Sequence, residues 1–365
     1  MKRHNRLKKH TLGLAAALLM TAGMSQIALA SDSVYVNTSS LRYRTSAQIK
    51  DNNIAGNLSY GQKLERVGTS GQWTMILLNG KKYYVSSAYV TSKKPASAGA
   101  VQTTSQTAAG AQTSGGTAIA LSSNYKYANY SKINSGTATL YRSTASNKKN
   151  KVVCVNAGHG TNGGGSVKTQ CHPDGSAKVT GGTTGAGATS AVAVSSGMTF
   201  ADGTAESKVT LAMAKVLKTK LLNAGYDVLM IRESDDVQLD NIARTVIANN
   251  NADCHIALHW DSTSSNKGAF FMSVPSNATY RAMEPVASHW KQHNQLGESL
   301  ISGLKSAGVK IYSKGSMEMD LTQTSYSTIP SVDIELGDKA SDHSQSTLNQ
   351  LGDGLVAGVK AYFGQ

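Results

Sequence analysis

Apolar and polar positions change their spacing several times along the chain. From Ser33 to about Ser92 the pattern is short alternating runs, Lys63 to Val67, Trp73 to Leu78 and Tyr83 to Val90, broken by Gly61, Gly71 and Asn79-Gly80. Period-two alternation marks half-buried strands, and Asn-Gly between two such runs is a strong hairpin signal. This segment is expected to be all β, with Trp73 in its core and Tyr83, Tyr84 and Tyr89 either core or ligand-facing. From 93 to 120 the chain collapses into Ala, Ser, Thr, Gln and Gly, which bury too little to offset chain entropy and predict a flexible tether. The tyrosine-rich stretch 121–149 reads either as an elaboration of the next domain or as more linker.

Beyond it, Val152 to Val155 form a compact, mostly β-branched run. Val209, Leu211, Ala212, Val216, Leu217, Leu221 and Leu222 then recur at helical spacing, after a cap at Asp202 or Thr204 and before Gly225. A strand from Tyr226 to Arg232, a helix from about Gln238 to Asn250 and strands at Asp253 to His259 and Ile329 to Leu336 follow. Strands alternating with helices predict an α/β domain over 150–365, a mostly parallel sheet with helices on both faces.

The beginning of the chain adds a compartment. Lys2, Arg3, Arg6, Lys8 and Lys9 precede an apolar stretch from Leu12 to Met24 and the small-residue site Ala28-Leu29-Ala30. That is the pattern of a secretory signal peptide over 1–30. Its apolar part is shorter than the roughly 20 residues of a retained anchor. The mature chain is therefore expected to be secreted, extracellular or wall-associated, with no stable membrane insertion. Removing the five basic residues of this segment from the overall +14 leaves +9. A basic secreted protein favours acidic surroundings, and anionic wall polymers fit the compartment. The charges are scattered, without the aromatic-interleaved basic patch of single-strand binders, so nucleic acid is not expected. Three cysteines, Cys154, Cys171 and Cys254, make no disulfide framework.

Chemistry concentrates at strand ends. His159 follows the first core strand between Gly158 and Gly160, and His259 ends another just before Trp260-Asp261-Ser262. Glu335 ends a third, where a buried carboxylate is costly unless a cation, proton or hydrogen bond compensates it. Ligand crevices in such sheets lie beyond the carboxyl ends of the strands, so all three reach one rim. Glu206 enters from a helix start, where its ordinary role would be to complement the helix dipole. Between His159 and Glu206 lies an unusually long Gly/Ser/Thr/Ala-rich loop, 160–203, of the length commonly found functional or mobile.

Two resemblances follow. Leu41 to Gln48 (LRYRTSAQ), Ser70 to Trp73 (SGQW) and Asn79 to Val90 (NGKKYYVSSAYV) resemble the bacterial SH3-like (SH3b) domain, with Thr45-Ser46-Ala47 in place of its Gly-Pro. This implies a small all-β SH3-like barrel over 31–92 that binds cell-wall peptide. The GHG at 158–160, Glu206 before AGYDVLMIRESD, IARTVIANNNADCHIALHWDS at 242–262 and IPSVDIELG at 329–337 together resemble the zinc-dependent N-acetylmuramoyl-L-alanine amidases of the Amidase_3 type. By that resemblance His159, Glu206 and His259 are the Zn²⁺ ligands and Glu335 the catalytic base. The substrate implied is peptidoglycan, glycan strand and stem peptide, cut between N-acetylmuramic acid and L-alanine. Asn156-Ala157 replaces the usual Asp-Pro, so the partner that orients the His159 ring must come from elsewhere.

Other residues compete less well. Glu233 and Asp235 are runners-up for Glu206. His289 and His293 have a zinc-pair spacing, but HWKQH lacks the glutamate of HExxH. His255 reads as a hydrogen-bonded core histidine, adjacent Cys171 and His172 lack a metal-binding spacing, and Arg232 and Arg244 read as partners of carboxylates or of substrate acids, structural pairing being the safer reading. The alternatives to an amidase are a non-catalytic wall-binding protein and a zinc peptidase acting within the stem peptide.

Overall fold

The computed structural model describes residues 32–37, 40–48, 53–59, 61–94 and 115–365. The expected signal peptide and most of the expected tether lie outside these residues. The chain divides into two compact units, with the division between residues 107 and 108.

The first unit is one antiparallel seven-stranded sheet. Its strands are β1 (Asp32–Val36), β2 (Ser40–Arg44), β3 (Ile54–Ser59), β4 (Lys63–Ser70), β5 (Trp73–Leu78), β6 (Lys81–Ser86) and β7 (Val90–Thr91), in the order β3-β2-β6-β5-β4-β1-β7. Asn79 and Gly80 join β5 to β6 with φ of 51° and 72°, the two positive values a two-residue hairpin turn requires. The core is Val34, Val36, Leu41, Leu58, Leu64, Ile76 and Val85. Trp73 is outside it. Thr74 and Ile76 take the inward positions of β5, and strand alternation turns Trp73 to the other, half-buried face.

The second unit is an eight-stranded mixed sheet covered by helices. Its elements in chain order are β8 (Thr117–Ala120), β9 (Thr137–Tyr141), β10 (Val152–Ala157), β11 (Lys168–Gln170), β12 (Ser190–Val192), α1 (Glu206–Asn223), β13 (Asp227–Met230), α2 (Asn241–Asn251) and β14 (Cys254–Asp261). Then come β15 (Ala269–Ser273), α3 (Ala278–Ala282), α4 (Val286–Ser306), β16 (Ile311–Glu318), α5 (Thr322–Tyr326), β17 (Ser331–Asp338) and α6 (Gln345–Tyr362). The sheet order is β16-β15-β17-β14-β10-β13-β9-β8. Four central strands, β17, β14, β10 and β13, run parallel, as the βα alternation predicts. The edges do not: β9 is antiparallel to β13, and β15 to β17. The tyrosine-rich stretch thus enters the sheet through β9.

Alternate residues of the central strands serve opposite faces. Val153, Val155, Ile256, Leu258, Val332 and Ile334 pack with Leu217, Leu300 and Leu355 of α1, α4 and α6. Cys154, Leu229 and Ile231 pack with Ala243 and Ile247 of α2. Residues of the parity of Cys154 and His255 therefore face the α2 side, and at the strand ends this parity carries the polar side chains.

The cap of α1 is Ala205, without a side-chain bond, rather than Asp202 or Thr204. Asp202 instead accepts the Thr204 N–H in a local turn. The loop 160–203 contains the β11–β12 hairpin and is pinned by Asp320, which is fully buried. Asp320 accepts bonds from His172 (3.1 Å), Lys178 (3.1 Å), the Val179 N–H (2.8 Å) and the Thr180 N–H (3.0 Å). Tyr130 and Tyr326 hold the same loop through the carbonyls of Pro173 and Gln170. No described helix is long and apolar enough to cross a membrane.

Candidate metal centre

The chain turns as soon as β10 ends. His159 lies in the left-handed region at φ 63°, which costs a residue with a side chain on the order of 1 kcal/mol. Two buried arginines hold the turn. Arg244 of α2 donates to the carbonyls of Leu239 (2.9 Å), Ala157 (3.3 Å) and His159 (2.7 Å), to Asn156 Oδ1 (3.2 Å) and to Thr161 Oγ1 (2.8 Å). Arg232 donates to the carbonyls of Ala157 (3.0 Å) and Gly158 (2.8 Å). The expected pairing with carboxylates is thus replaced by backbone carbonyls. A strand end followed at once by a tight turn presents several carbonyls together, and a guanidinium fork has the donors to serve them. Burial lowers Arg244 to about 9, still protonated at neutral pH.

The His159 ring is fixed from the long loop. Its Nδ1 donates to the Ser195 carbonyl at 2.8 Å, with Ser195 Oγ also 3.2 Å away. That leaves Nε2, on the far side of the ring, turned toward the side chains of Glu206 and His259. It faces Glu206 Oε1 at 2.9 Å. His259 brings its Nδ1 to the same Oε1 at 3.1 Å and to His159 Nε2 at 3.1 Å. The two imidazole planes stand nearly perpendicular, at 85°. Gly158 makes room for this crossing, since a Cβ there would lie 2.2 Å from the His259 ring.

Glu206 opens α1, but helix-dipole complementarity is not its main role, because the carboxylate is turned inward and only 3% exposed. Oε1 accepts the Trp260 N–H (3.0 Å) and Oε2 the Met198 N–H (2.9 Å). Burial alone would raise this carboxyl, but hydrogen bonds from His159 and His259 outweigh it and hold it well below the usual range. Burial opposes charge on His259 too, yet Asp333 and Glu206 raise it to about 10. The pocket thus concentrates negative potential on the His259 imidazole.

Glu335 lies beside His259, the two paired across β14 and β17, and Asp333 pairs with Ala257 one step back. His259 Nε2 is 3.7 Å from Asp333 Oδ2. Glu335 is buried, and its Oε2 has no hydrogen-bond partner. Burial first and Asp333 second push its carboxyl well above the ordinary range. His159, Glu206, His259, Asp333 and Glu335 line a cavity of about 510 Å³ that also takes in Thr183, Ser195, Met317 and Met319.

Among the described residues, His159, Glu206 and His259 are the group of metal-ligating side chains whose donor atoms converge, within 4.8 Å of one another. Two neutral nitrogens and a carboxylate suit Zn²⁺, and three protein donors leave a position open. The residues present fit the metal.

The competing residues are elsewhere. Glu233 binds Tyr141 and Lys218, and Asp235 binds Lys208. His293 is buried and accepts the Ser331 N–H at 3.0 Å, while His289 donates to its own helix at the Pro285 carbonyl. His172 bonds Ser176 and Asp320. The three cysteines are free and buried. His255 departs from expectation: it is fully buried, and neither ring nitrogen has a partner. Its neighbours across β10 and β17 are Cys154 and Ser331.

Sequence reasoning did not single out Asp333, Ser195 or the N–H groups of Met198 and Trp260. Asp333 was within reach, since it sits two residues before Glu335 and shares its face. The other three act through backbone groups, which no residue identity reports.

Residues 153–359 match the family model described as N-acetylmuramoyl-L-alanine amidase. Similar solved structures include the N-acetylmuramyl-L-alanine amidases Ami1 of Mycobacterium smegmatis and of Mycobacterium abscessus. The first is 20% identical at a TM-score of 0.46, covering 60% of this chain and 99% of that one. The second is 20% identical at a TM-score of 0.45, covering 58% and 98%. An N-acetylmuramoyl-L-alanine amidase from Clostridium difficile 630 is 17% identical at a TM-score of 0.42, covering 59% and 97%. No curated protein matches. The family match spans more than half of the chain, which therefore belongs to the N-acetylmuramoyl-L-alanine amidase family, hydrolases that act on peptidoglycan.

Proposed function

We propose that the protein is a secreted, zinc-dependent amidase that cuts between N-acetylmuramic acid and the L-alanine of the stem peptide. The observation that carries this reading is the convergence of His159 Nε2, Glu206 Oε1 and His259 Nδ1 beside a buried Glu335 whose Oε2 has no partner. His159, Glu206 and His259 would hold the metal. When bound, Zn²⁺ supplies Lewis acidity toward an amide carbonyl and lowers the pKa of a water. Asp333 and Glu206 favour positive charge at the His259 ring, whether a proton or a bound cation supplies it.

The protein's own residues do the proton work. Glu335 Oε2 takes a proton from the attacking water as its oxygen bonds to the carbonyl carbon. It returns that proton to the amide nitrogen as the carbon–nitrogen bond breaks. Burial beside Asp333 raises the Glu335 carboxyl, the direction that suits a group which accepts and then donates near neutral pH. Asp333 keeps the His259 ring oriented from its far side.

The first unit is assigned as the SH3-like wall-binding module. The antiparallel sheet, the 79/80 hairpin and the exposed Tyr89, at 47%, support this. Tethered to the catalytic unit, it would raise the local concentration of enzyme at the wall.

The test incubates muropeptides with the mature chain and its Glu335→Ala form, with and without chelator, and weighs the fragments. Intact stem peptide released from the glycan, and lost in both controls, is expected. Cuts within the peptide point to a peptidase, and no metal-dependent release leaves only a binding protein.

A further inference from the structure

The insertion between His159 and Glu206 does more than connect them. Four consecutive residues, Ser195, Ser196, Gly197 and Met198, pass directly over the two side chains. Ser195 accepts from His159 Nδ1 at 2.8 Å, and Met198 donates to Glu206 Oε2 at 2.9 Å. The Met198 carbonyl in turn accepts the Glu206 N–H at 3.0 Å. Between them, Gly197 packs so closely that a Cβ would lie 2.8 Å from both His159 Nε2 and Glu206 Oε2.

The strap is itself held in place. The Ala193 N–H donates to the Val167 carbonyl and the Val194 N–H to that of Gly164, while the Asn241 N–H, at the start of α2, donates to the Ala193 carbonyl. Asn156, the last residue but one of β10, accepts from Arg244 through its Oδ1.

We propose that the strap Ser195–Met198 is the positioning element of the metal centre. Its Ser195 carbonyl sets the His159 tautomer and ring plane, its Met198 N–H fixes the Glu206 carboxylate, and Gly197 keeps the space in front of both donor atoms clear. This rests on the zinc reading above. Groups of this kind typically contribute 10- to 100-fold in metal affinity.

A matched pair of variants tests it. Gly197 and Gly187 both lie in the insertion at positive φ, 82° and 86°, but nothing lies within 4 Å of a Cβ at Gly187. Alanine therefore pays the same backbone cost at either site and meets the ligands only at 197. Zinc affinity would be measured by chelator competition in the full chain, with thermal midpoints of the zinc-free proteins alongside. Gly197→Ala should bind zinc at least tenfold more weakly than wild type. Gly187→Ala should stay within twofold, its zinc-free midpoint reporting the backbone cost alone. Equal affinity in the two variants overturns the proposal while leaving the zinc site standing, whereas wild type that takes up no zinc defeats both. Nitrogen NMR of the loaded wild-type imidazoles decides the case if Gly197→Ala does not fold: His159 should carry its proton on Nδ1, and metal on that nitrogen overturns the proposal.

Discussion

His259 and Glu335 sit opposite each other in the parallel register of β14 and β17, although 76 positions separate them in the chain. The pairing places an unpartnered carboxylate oxygen next to a proposed metal ligand. Replacing Glu335 with glutamine keeps the shape and removes the base. Hydrolysis should fall by roughly 10²- to 10⁴-fold, the usual worth of a general acid–base group. Zinc uptake should be unchanged, which single-turnover kinetics and a metal titration together would check. Loss of zinc along with activity would assign Glu335 to holding the metal.

Asp320 is the buried anchor of the insertion. Asp320→Asn leaves the Lys178 ammonium, itself only 9% exposed, without its charge partner. Breaking a buried pair from one side typically costs about 3–5 kcal/mol. The expected result is a lower urea midpoint together with new protease cleavage between Ser176 and Ser190. An unchanged digestion pattern would show that the tyrosine contacts alone hold the loop.

Arg244 serves five acceptors around the β10 turn. Lysine retains the charge but not the fork, so Arg244→Lys should lose about 2–4 kcal/mol as buried carbonyls go unpaired. Denaturant unfolding would measure it. A loss below about 1 kcal/mol would mean that Arg232 and water can hold the turn.

Two core histidines set an acid limit. Burial lowers both His255 and His293 to about 3, against an ordinary value near 6.5. The unfolded chain takes these protons before the folded one does. Their contribution to stability is therefore intact above about pH 6.5 and is lost as pH falls toward 3, by about 1.4 kcal/mol per pH unit for each group. His255→Leu breaks no hydrogen bond. It should raise stability at pH 7 by about 1 kcal/mol and flatten the slope of urea midpoint against pH between 6.5 and 4. An unaltered slope would mean that His255 is protonated in the fold.

Much of this was legible in the residues. The helical spacing of Val209 to Leu222 and the compact runs at Val152 and Cys254 report burial directly, because a regular element repeats its exposure every 3.6 or two residues. The same periodicity put His159, His259 and Glu335 at strand ends, and the strand-helix alternation implied that those ends share a rim. Trp73 was misassigned because alternation gives two faces and does not say which is inward, a choice made by the strands on either side. His255 shares its parity with His259, but its want of a partner depends on Cys154 and Ser331 in neighbouring strands.

By itself the sequence determined the central parallel strands, the order of the four site residues and the chemistry of their side chains, since each depends on local spacing and residue type. Only the tertiary structure decided the antiparallel edges of the sheet, the use of Arg232 and Arg244 to bind backbone carbonyls, and the dependence of His159 on Ser195. These are contacts between backbone groups and side chains tens of residues apart, formed when the insertion folds back over the strand ends. A carbonyl or N–H is the same at almost every position, so its partner is fixed by where the fold carries it.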